Sequence, residues 1–340
     1  MTTRKGSAEG GFLAAVEGVW SGWRGKPRSH GNTEHKFVLD FPVQQHWNWK
    51  VAFYLYLAAT SGGLIFLEVV LRGLDVIEER TATWGMWIGL ALALLSLVVL
   101  FDHLGPVSRW RFYYAFRRPR TSWIARGAII VTVLVVLRIV VLLPEIAGLE
   151  ELPWGEGTVA GNVLRGVVVV FALAFMAYSG LVISSWNAVA FWNTPLLPAL
   201  YVGYSFLGGL AALPVLAWVV EGRAGMEALG SEVWPYLLGL LLGNGFLLFL
   251  YVVGMASGTR PARISVRRLL RGGVGWSFWV GVVGVGLVVP TVIVALEVGE
   301  VLSPGTFTAT LLAVAGVGVL VGGYVLRDNV LRVGVYASPV

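Results

Sequence analysis

The chain has 340 residues, a formal net charge of +6, 57 % hydrophobic and 13 % charged residues, and no cysteine. A soluble domain carries about 25 % charged residues, so this composition excludes an ordinary soluble protein. The lack of cysteine excludes disulfides, iron–sulfur clusters and thiolate metal sites within this chain. The basic residues lie in short stretches between apolar blocks, which indicates orientation in a membrane rather than binding to nucleic acid.

The N-terminal segment, residues 1–45, is polar and contains Gly, Ser and Pro. It shows no apolar h-region followed by a small-residue cleavage site, so we predict no signal peptide. The stretch Gly11–Trp23 has the pattern of a short amphipathic surface helix.

Apolar blocks of about 20 residues follow, the length that a helix needs to cross about 30 Å of hydrocarbon. Several begin or end at Trp, the usual anchor at the membrane–water interface. The predicted spans are Trp49–Leu71, Trp84–Leu104, Trp123–Leu143, Leu164–Ala190, Leu196–Val220, Trp234–Ala256, Gly275–Leu296 and Thr306–Leu326. The predicted fold class is therefore all-α, a polytopic membrane protein with eight transmembrane helices.

The domain organisation is predicted from two arginine-rich loops that lie four spans apart and suggest two four-helix bundles. The predicted segments are the polar segment 1–45, a first four-helix bundle 46–190, a second four-helix bundle 191–327 and a C-terminal tail 328–340. The polar corner Trp192–Pro195 is too short for a domain and forms a hairpin between the fourth and fifth spans. Polar groups within the spans concentrate in the first bundle, and Asn244 is the main exception in the second.

Charge predicts the orientation in the membrane. One side carries the arginines of residues 109–120 and 260–271 and is named here the basic end. The other carries the glutamates of residues 145–156, 227–232 and 297–300 and is named the acidic end. The positive-inside rule then places the basic end and both termini in the cytoplasm, with the chain in the cell membrane.

Three ionisable side chains lie within the predicted spans near the acidic end: Glu68, Arg138 and Arg165. An ionisable group inside a span is costly and is therefore a functional candidate. Because adjacent spans run in opposite directions, the three groups share a similar depth and form a predicted proton path. The alternative is that the arginines extend to the interface and that Glu68 makes a structural ion pair.

A second group of polar residues lies toward the basic end, in the first, second and fourth spans: His46, Asn48, Asp102, His103 and Tyr178. Such side chains can hydrogen-bond the two carbonyl oxygens of a quinone and exchange protons, since His titrates near neutral pH and Tyr supplies a donor. The alternative is that they are ordinary interfacial residues.

Several stretches resemble the polysulfide-reductase membrane-subunit family, also called the NrfD-like family. Trp49–Gly63 (WKVAFYLYLAATSGG) resembles the opening span of that family. Asp102–Pro106 (DHLGP), followed by Arg109–Phe112 (RWRF), resembles its Asp-Leu-Gly-Arg-Pro…Arg-Phe-Trp element. Pro119–Gly127 (PRTSWIARG) resembles its Pro-x-Ser-x-x-x-Trp-Gly stretch, and Trp192–Pro198 (WNTPLLP) resembles the beginning of its fifth span.

The resemblance covers residues 46–212, and it also includes Tyr178-Ser179-Gly180 in the fourth span. Beyond residue 212 it rests on the number of spans. Two departures fall in the second-span element, where His103 is inserted and Gly105 replaces the Arg before Pro.

The resemblance implies a quinone-reactive membrane anchor without haem or metal of its own. Such subunits bind a four-cluster iron–sulfur protein, which usually serves a molybdopterin or a nickel–iron catalytic subunit, and they exchange electrons with menaquinone or ubiquinone. Carried over residue by residue, His46 and Asn48 match the polar residues at the head of the first span. Asp102 matches the second-span aspartate, and Tyr178 matches the fourth-span tyrosine.

The resemblance and the charge pattern differ on sidedness. In known members the quinone site and the iron–sulfur partner face the outside, on the side of the N-terminus. The positive-inside rule places the corresponding end of this chain in the cytoplasm. The partner is therefore either cytoplasmic, which the charge pattern favours, or acidic and outside, docked on the arginines.

The alternative function is a secondary transporter or proton channel, with Glu68, Arg138 and Asn244 on the path of the substrate. That class predicts broken helices in both halves of the chain. A haem b anchor is less favoured, because the four histidines form no facing pairs within the predicted spans.

Overall fold

The computed structural model describes residues 41–103, 112–117, 119–146, 148–149 and 151–337. The predicted surface helix Gly11–Trp23 and several basic-end arginines, including Arg109 and Arg111, lie outside these residues. Within them the chain is largely helical, and eight helices are long and apolar enough to cross a membrane. The predicted all-α membrane fold with eight transmembrane helices is confirmed.

The α-helices are α1 Trp49–Gly73, α2 Glu79–His103, α3 Trp123–Leu142, α4 Val159–Ser184, α5 Leu196–Glu221, α6 Arg223–Ala228, α7 Val233–Ala256, α8 Arg260–Arg271, α9 Val289–Val298 and α10 Thr306–Arg332. A π-helix, Ser277–Val288, runs directly into α9, and together they make the seventh span. Short 3-10 helices lie at Phe112–Phe116 and Leu143–Glu145.

Four predicted span boundaries differ from the structure by five or six residues. The second span begins at Glu79 rather than Trp84, and the fourth begins at Val159 rather than Leu164. The fourth span ends at Ser184 rather than Ala190, because the apolar residues that follow, including Phe191, are buried in the protein and not in a continuing helix. The eighth span continues through Arg332 rather than ending at Leu326, because Arg327 is buried against neighbouring helices instead of leaving the membrane as a charged tail.

Capping side chains fix where three of the spans begin. Asn48 accepts a hydrogen bond from the backbone N–H of Lys50 at the start of α1. Ser122 caps α3 and Thr158 caps α4 in the same way, through N–H groups one turn into the helix. These bonds satisfy amides that have no partner within the helix, and each contributes about 1 kcal/mol.

Helices α1 and α5 lie at the centre of the molecule. α1 packs on α2, α4, α5 and α10, and α5 packs also on α7 and α10. The backbones of α1 and α5 touch at Gly63 and Gly209, where a Cβ built on Gly63 would lie 1.9 Å from the carbonyl oxygen of Ser205. Small residues permit such an approach between helices in lipid, and this contact sets the distance between α1 and α5.

The remaining helices surround this pair. α3 packs on α4 and α2, the π-helix packs on α10, and α9 packs on α7 and α10. The described residues from Phe41 onward form one compact unit. The division into two bundles between residues 190 and 191 stays a prediction. Helices α1 and α5, which it assigns to different bundles, are in direct contact.

The hairpin between α4 and α5 is held against the end of α10. The indole Nε1 of the buried Trp192 donates to the carbonyl oxygen of Val330 at 2.9 Å. The hydroxyl of Tyr251 donates to the carbonyl oxygen of Phe191 at 2.7 Å. The predicted polar corner is therefore a tertiary junction between α4, α5, α7 and α10.

Candidate functional site

The basic-end site begins with an ion pair between α1 and α2. The Nζ of Lys50 lies 2.6 Å from the Oδ2 of Asp102, and the two side chains are 35 % and 53 % exposed. The next residue, His103, is partly buried, and both charges act on its imidazole. An exposed ion pair contributes at most about 1 kcal/mol to stability, so its effect here is mainly to position Asp102 and His103 at the head of α1.

A pair of tyrosines lies one turn deeper. Tyr54 follows Lys50 by four residues on α1, so the two side chains share a face of the helix. The buried phenols of Tyr54 and Tyr178 lie close enough to interact electrostatically. A phenol hydroxyl can donate one hydrogen bond and accept another, so this pair places two donors together at the same depth.

The ring of Tyr178 packs directly on α3. A Cβ built on Gly127 would lie 2.1 Å from the Cζ of Tyr178, so only a glycine leaves room for the ring in this position. Gly127 ends the Pro119–Gly127 stretch that carries part of the family resemblance. The placement of Tyr178 therefore depends on α1 and α3 together.

Two of the predicted quinone ligands lie at the surface. His46 and Asn48 are both exposed in the turn that precedes α1. The Oδ1 of Asn48 accepts the N–H of Lys50 at 3.0 Å, which gives this residue a helix-capping role. The structure thus links Asp102, His103 and Tyr178 through one face of α1, and it places His46 and Asn48 just outside that face.

Lys50 and Tyr54 were missed by the sequence analysis. Both lie in the first two turns of α1, within the stretch Trp49–Gly63 that resembles the family's opening span. Their spacing of four residues is a signal for a shared face. Nothing in the sequence, however, indicates that this face is turned toward Asp102 and Tyr178 on other helices.

The acidic-end site is a buried ion pair between α1 and α3. The Nη2 of Arg138 lies 2.5 Å from the Oε2 of Glu68, and the side chains are 1 % and 2 % exposed. Arg165 of α4 acts electrostatically on the same carboxylate. The structure therefore brings Glu68 and Arg138 together at one depth, as the alternation of the spans predicts, and Arg138 does not extend to the interface.

Arg72 connects this buried pair to the surface. Its Nη2 lies 2.5 Å from the Oε2 of Glu156 and 3.5 Å from the Oε1 of Glu79, and its charge also acts on Glu68. A weaker contact of 3.9 Å joins it to Glu145. Arg72 was not predicted as a site residue because it falls just beyond the predicted end of the first span, although it follows Glu68 by four residues.

The two sites lie at opposite ends of the same helices. Tyr54 and Glu68 are separated by about 21 Å along α1, from a rise of about 1.5 Å per residue. Between them the hydroxyl of Ser61 donates to the carbonyl oxygen of Gly89 at 2.8 Å. This hydrogen bond joins α1 to α2 near the middle of the bundle.

The interior of the second half of the chain is more polar than the predicted spans indicate. Asn244 is buried and donates to the carbonyl oxygens of Gly203 and Leu240, at 3.1 and 2.8 Å. It therefore ties α7 to α5. Arg327 of α10 is also buried, at 1 % exposure, which corrects the expectation that Asn244 is the main polar exception in this half.

The fold and these sites define a polytopic helical membrane protein with one polar site near each face. Residues 40–336 match the family model described as "Polysulphide reductase, NrfD". The chain belongs to the NrfD polysulphide reductase family. Membership makes it a membrane subunit of a redox complex.

Three curated relatives are similar over most of their length. The C subunit of the polysulfide reductase of Wolinella succinogenes is 28 % identical over 308 residues, which cover 85 % of this protein and 94 % of the relative. The protein NrfD of Escherichia coli is 28 % identical over 266 residues, 72 % of this protein and 82 % of the relative. The NrfD homologue of Haemophilus influenzae is 25 % identical over 277 residues, 75 % and 86 % of the two proteins.

Proposed function

We propose that this chain is the quinone-binding subunit of a respiratory oxidoreductase complex. It exchanges electrons between menaquinone or ubiquinone and an iron–sulfur partner subunit. The observation that supports this most strongly is the basic-end arrangement, in which the Lys50–Asp102 ion pair and the Tyr54–Tyr178 pair share one face of α1. A lipid-soluble carrier has its polar head group at this depth, where the apolar bundle meets the interface.

The donors at this end fit a quinone head group. A quinone offers two carbonyl oxygens, each of which accepts hydrogen bonds. The ammonium of Lys50 and the imidazole of His103 are donors near the surface, and the hydroxyls of Tyr54 and Tyr178 are donors about 6 Å deeper along α1. The donors at these two depths can bind the two carbonyl oxygens at opposite ends of the quinone ring.

Each residue has a defined task in this proposal. The carboxylate of Asp102 orients the ammonium of Lys50, which binds one end of the head group. His103 is only partly buried at the end of α2 and would carry protons between the head group and the solvent. Tyr178 is fixed by Gly127 and Tyr54, and it presents a hydrogen bond to the other end. When bound, the quinone supplies the two-electron, two-proton redox chemistry.

The electrons come from partner subunits, because the protein has no cysteine to hold an iron–sulfur cluster. We propose a four-cluster iron–sulfur subunit that serves a molybdopterin or nickel–iron catalytic subunit, bound at the basic end. The exposed arginines of α8 lie at this end and would attract an acidic partner surface.

We propose that the basic end and both termini face the cytoplasm in the cell membrane. The absence of cysteine makes this testable, because a single introduced cysteine has no background. Ser257→Cys lies at the exposed basic end and Ser303→Cys at the exposed acidic end. In intact cells a membrane-impermeant maleimide should label only Ser303→Cys, and labelling of Ser257→Cys alone would reverse the orientation.

We propose further that Glu68 exchanges protons with water at the acidic end. The series of charges from Glu68 through Arg72 to the exposed Glu156 supports this, and Arg138 and Arg165 stabilise the carboxylate. In vesicles that hold the complex, Glu68→Gln should leave quinone turnover measurable and abolish proton uptake or release at that face. Proton flux by the purified protein without any redox partner would instead favour a proton channel or transporter.

The quinone proposal is tested by turnover of the whole complex. Tyr178→Phe removes one hydroxyl and keeps the ring, and Tyr236→Phe does the same at an exposed position of α7. The proposal predicts that kcat/KM for the quinone falls at least about tenfold in Tyr178→Phe, the size of effect expected when a bound polar group loses its partner. Turnover that is equal in both variants would remove Tyr178 from the site.

A further inference from the structure

A second buried arginine lies near the basic end of α10. The side chain of Arg327 is enclosed in the protein, at 1 % exposure. Its Nη1 donates to the carbonyl oxygen of Gly323 at 2.9 Å, and its guanidinium lies 5.1 Å from the centre of the Tyr201 ring. Its Nε and Nη2 have no hydrogen-bond partner among the described residues.

The charged side chain of Arg327 is surrounded by phenols from two other helices. Tyr56 of α1 and Tyr201 and Tyr204 of α5 act on its charge. The buried hydroxyls of Tyr201 and Tyr204 also lack a partner within the described part of the chain. No carboxylate forms an ion pair with Arg327 in the described ranges, whereas Arg138, the other fully buried arginine there, is paired with Glu68.

The unpartnered nitrogens have a specific geometry. The Nε–H and the outer Nη2–H of a guanidinium point in the same direction and form the fork that binds an anion through two parallel hydrogen bonds. A permanent charge enclosed in a membrane protein is strongly unfavourable without a counter-charge. The ring of Tyr201 offsets part of that penalty but accepts no hydrogen bond from the fork.

We propose that the junction of α1, α5 and α10 holds a small inorganic anion of halide size, bound to the Nε and Nη2 of Arg327. The hydroxyls of Tyr201 and Tyr204 complete a set of donors around it. The enclosure of the guanidinium and both rings restricts the ligand to a small ion rather than a lipid head group or a peptide carboxylate. A water molecule would satisfy the fork but leave the charge uncompensated.

This anion site is separate from the proposed quinone site. Tyr54 and Tyr56 are two residues apart on α1, which places their side chains on nearly opposite faces of the helix. Tyr54 lies by Tyr178 of α4, whereas Tyr56 lies by Arg327 of α10. The anion would join α1, α5 and α10, and its loss would loosen that junction without removing a quinone ligand.

The first test is thermal unfolding of the purified protein in sodium chloride or sodium gluconate at equal ionic strength. Chloride should raise the unfolding midpoint saturably, because gluconate is too large for an enclosed site. Arg327→Lys keeps the charge but loses the fork, and it should raise the half-saturating chloride concentration at least about tenfold. The double variant Tyr201→Phe/Tyr204→Phe should reduce the chloride response, and Arg223→Gln, which changes an exposed arginine, should retain it.

The second test uses the unchanged protein and therefore does not depend on whether a variant folds. Crystals grown in sodium bromide should show an anomalous scattering peak within hydrogen-bond distance of the Nε and Nη2 of Arg327. The proposal is overturned if no such peak is found at saturating bromide, or if unfolding midpoints in chloride and gluconate are equal.

Discussion

Glu68 of α1 and Arg138 of α3 form an ion pair at 2.5 Å in the interior of the first four helices. The two helices that carry these residues are otherwise scarcely in contact, so the pair bridges the centre of the bundle near its acidic end. Each side chain is almost completely enclosed, which makes the charges dependent on each other. Removing one charge should therefore destabilise the protein more than removing both.

We expect single replacements to destabilise the protein strongly. Glu68→Leu or Arg138→Met leaves one buried charge without its partner, which costs about 3–5 kcal/mol. The double variant Glu68→Leu/Arg138→Met removes both charges and should unfold much closer to the unchanged protein. Denaturation in detergent micelles measures the free energy of unfolding of all three variants.

The matched control for these single and double variants is the exposed ion pair Arg223–Glu227. The variants Arg223→Ala and Glu227→Ala should change stability by no more than about 1 kcal/mol. If the double variant at Glu68 and Arg138 were as unstable as the sum of the two single variants, the charges would not be coupled.

A methyl group at Gly127 should impair the proposed quinone site while every proposed quinone ligand keeps its side chain. The Cβ in Gly127→Ala would overlap the ring of Tyr178, so the ring must move. We expect turnover with quinone to fall about tenfold, since small displacements of a positioning group reduce rates by at least that much. Gly166→Ala is the control, because a Cβ there meets no atom within 4 Å. Equal turnover in the two variants would show that Tyr178 needs no support from α3.

The contact between α1 and α5 should tolerate no added volume. A Cβ on Gly209 would lie 2.2 Å from the backbone of Gly63, so Gly209→Ala must separate the helices. We expect a loss of about 1–3 kcal/mol, the usual effect of overpacking. Gly243→Ala on α7 meets open space and should be neutral or stabilising. Thermal unfolding of the two variants compares the positions, and a stable Gly209→Ala would contradict the close contact.

The spans could be predicted because the length and composition of an apolar block decide whether it crosses a membrane. The meeting of Glu68 and Arg138 was predictable for a similar reason. Because successive spans cross the membrane in opposite directions, the position of a residue within its span gives its depth in the membrane. Two opposite charges at the same depth attract each other.

The parts that were missed depend on the rotation of helices about their axes, which sequence position does not give. Arg327 follows a long apolar stretch and has the pattern of an interfacial arginine, but α1 and α5 cover it. Lys50 and Tyr54 share a face of α1, yet their partners come from α2 and α4. Asparagine is a typical helix-cap residue, and Asn48 caps α1. From the sequence it was predicted to bind the quinone, because it matches a polar residue at the head of the family's first span.

The most direct test of the quinone proposal is binding to the purified protein in lipid nanodiscs. A menaquinone analogue titrated into the protein should quench the fluorescence of its tryptophans saturably. Tyr178→Phe and Lys50→Met should each weaken the affinity about tenfold, whereas the exposed control Tyr236→Phe should not. Quenching that does not saturate, or equal affinity in all four proteins, would contradict a quinone site at the basic end of α1.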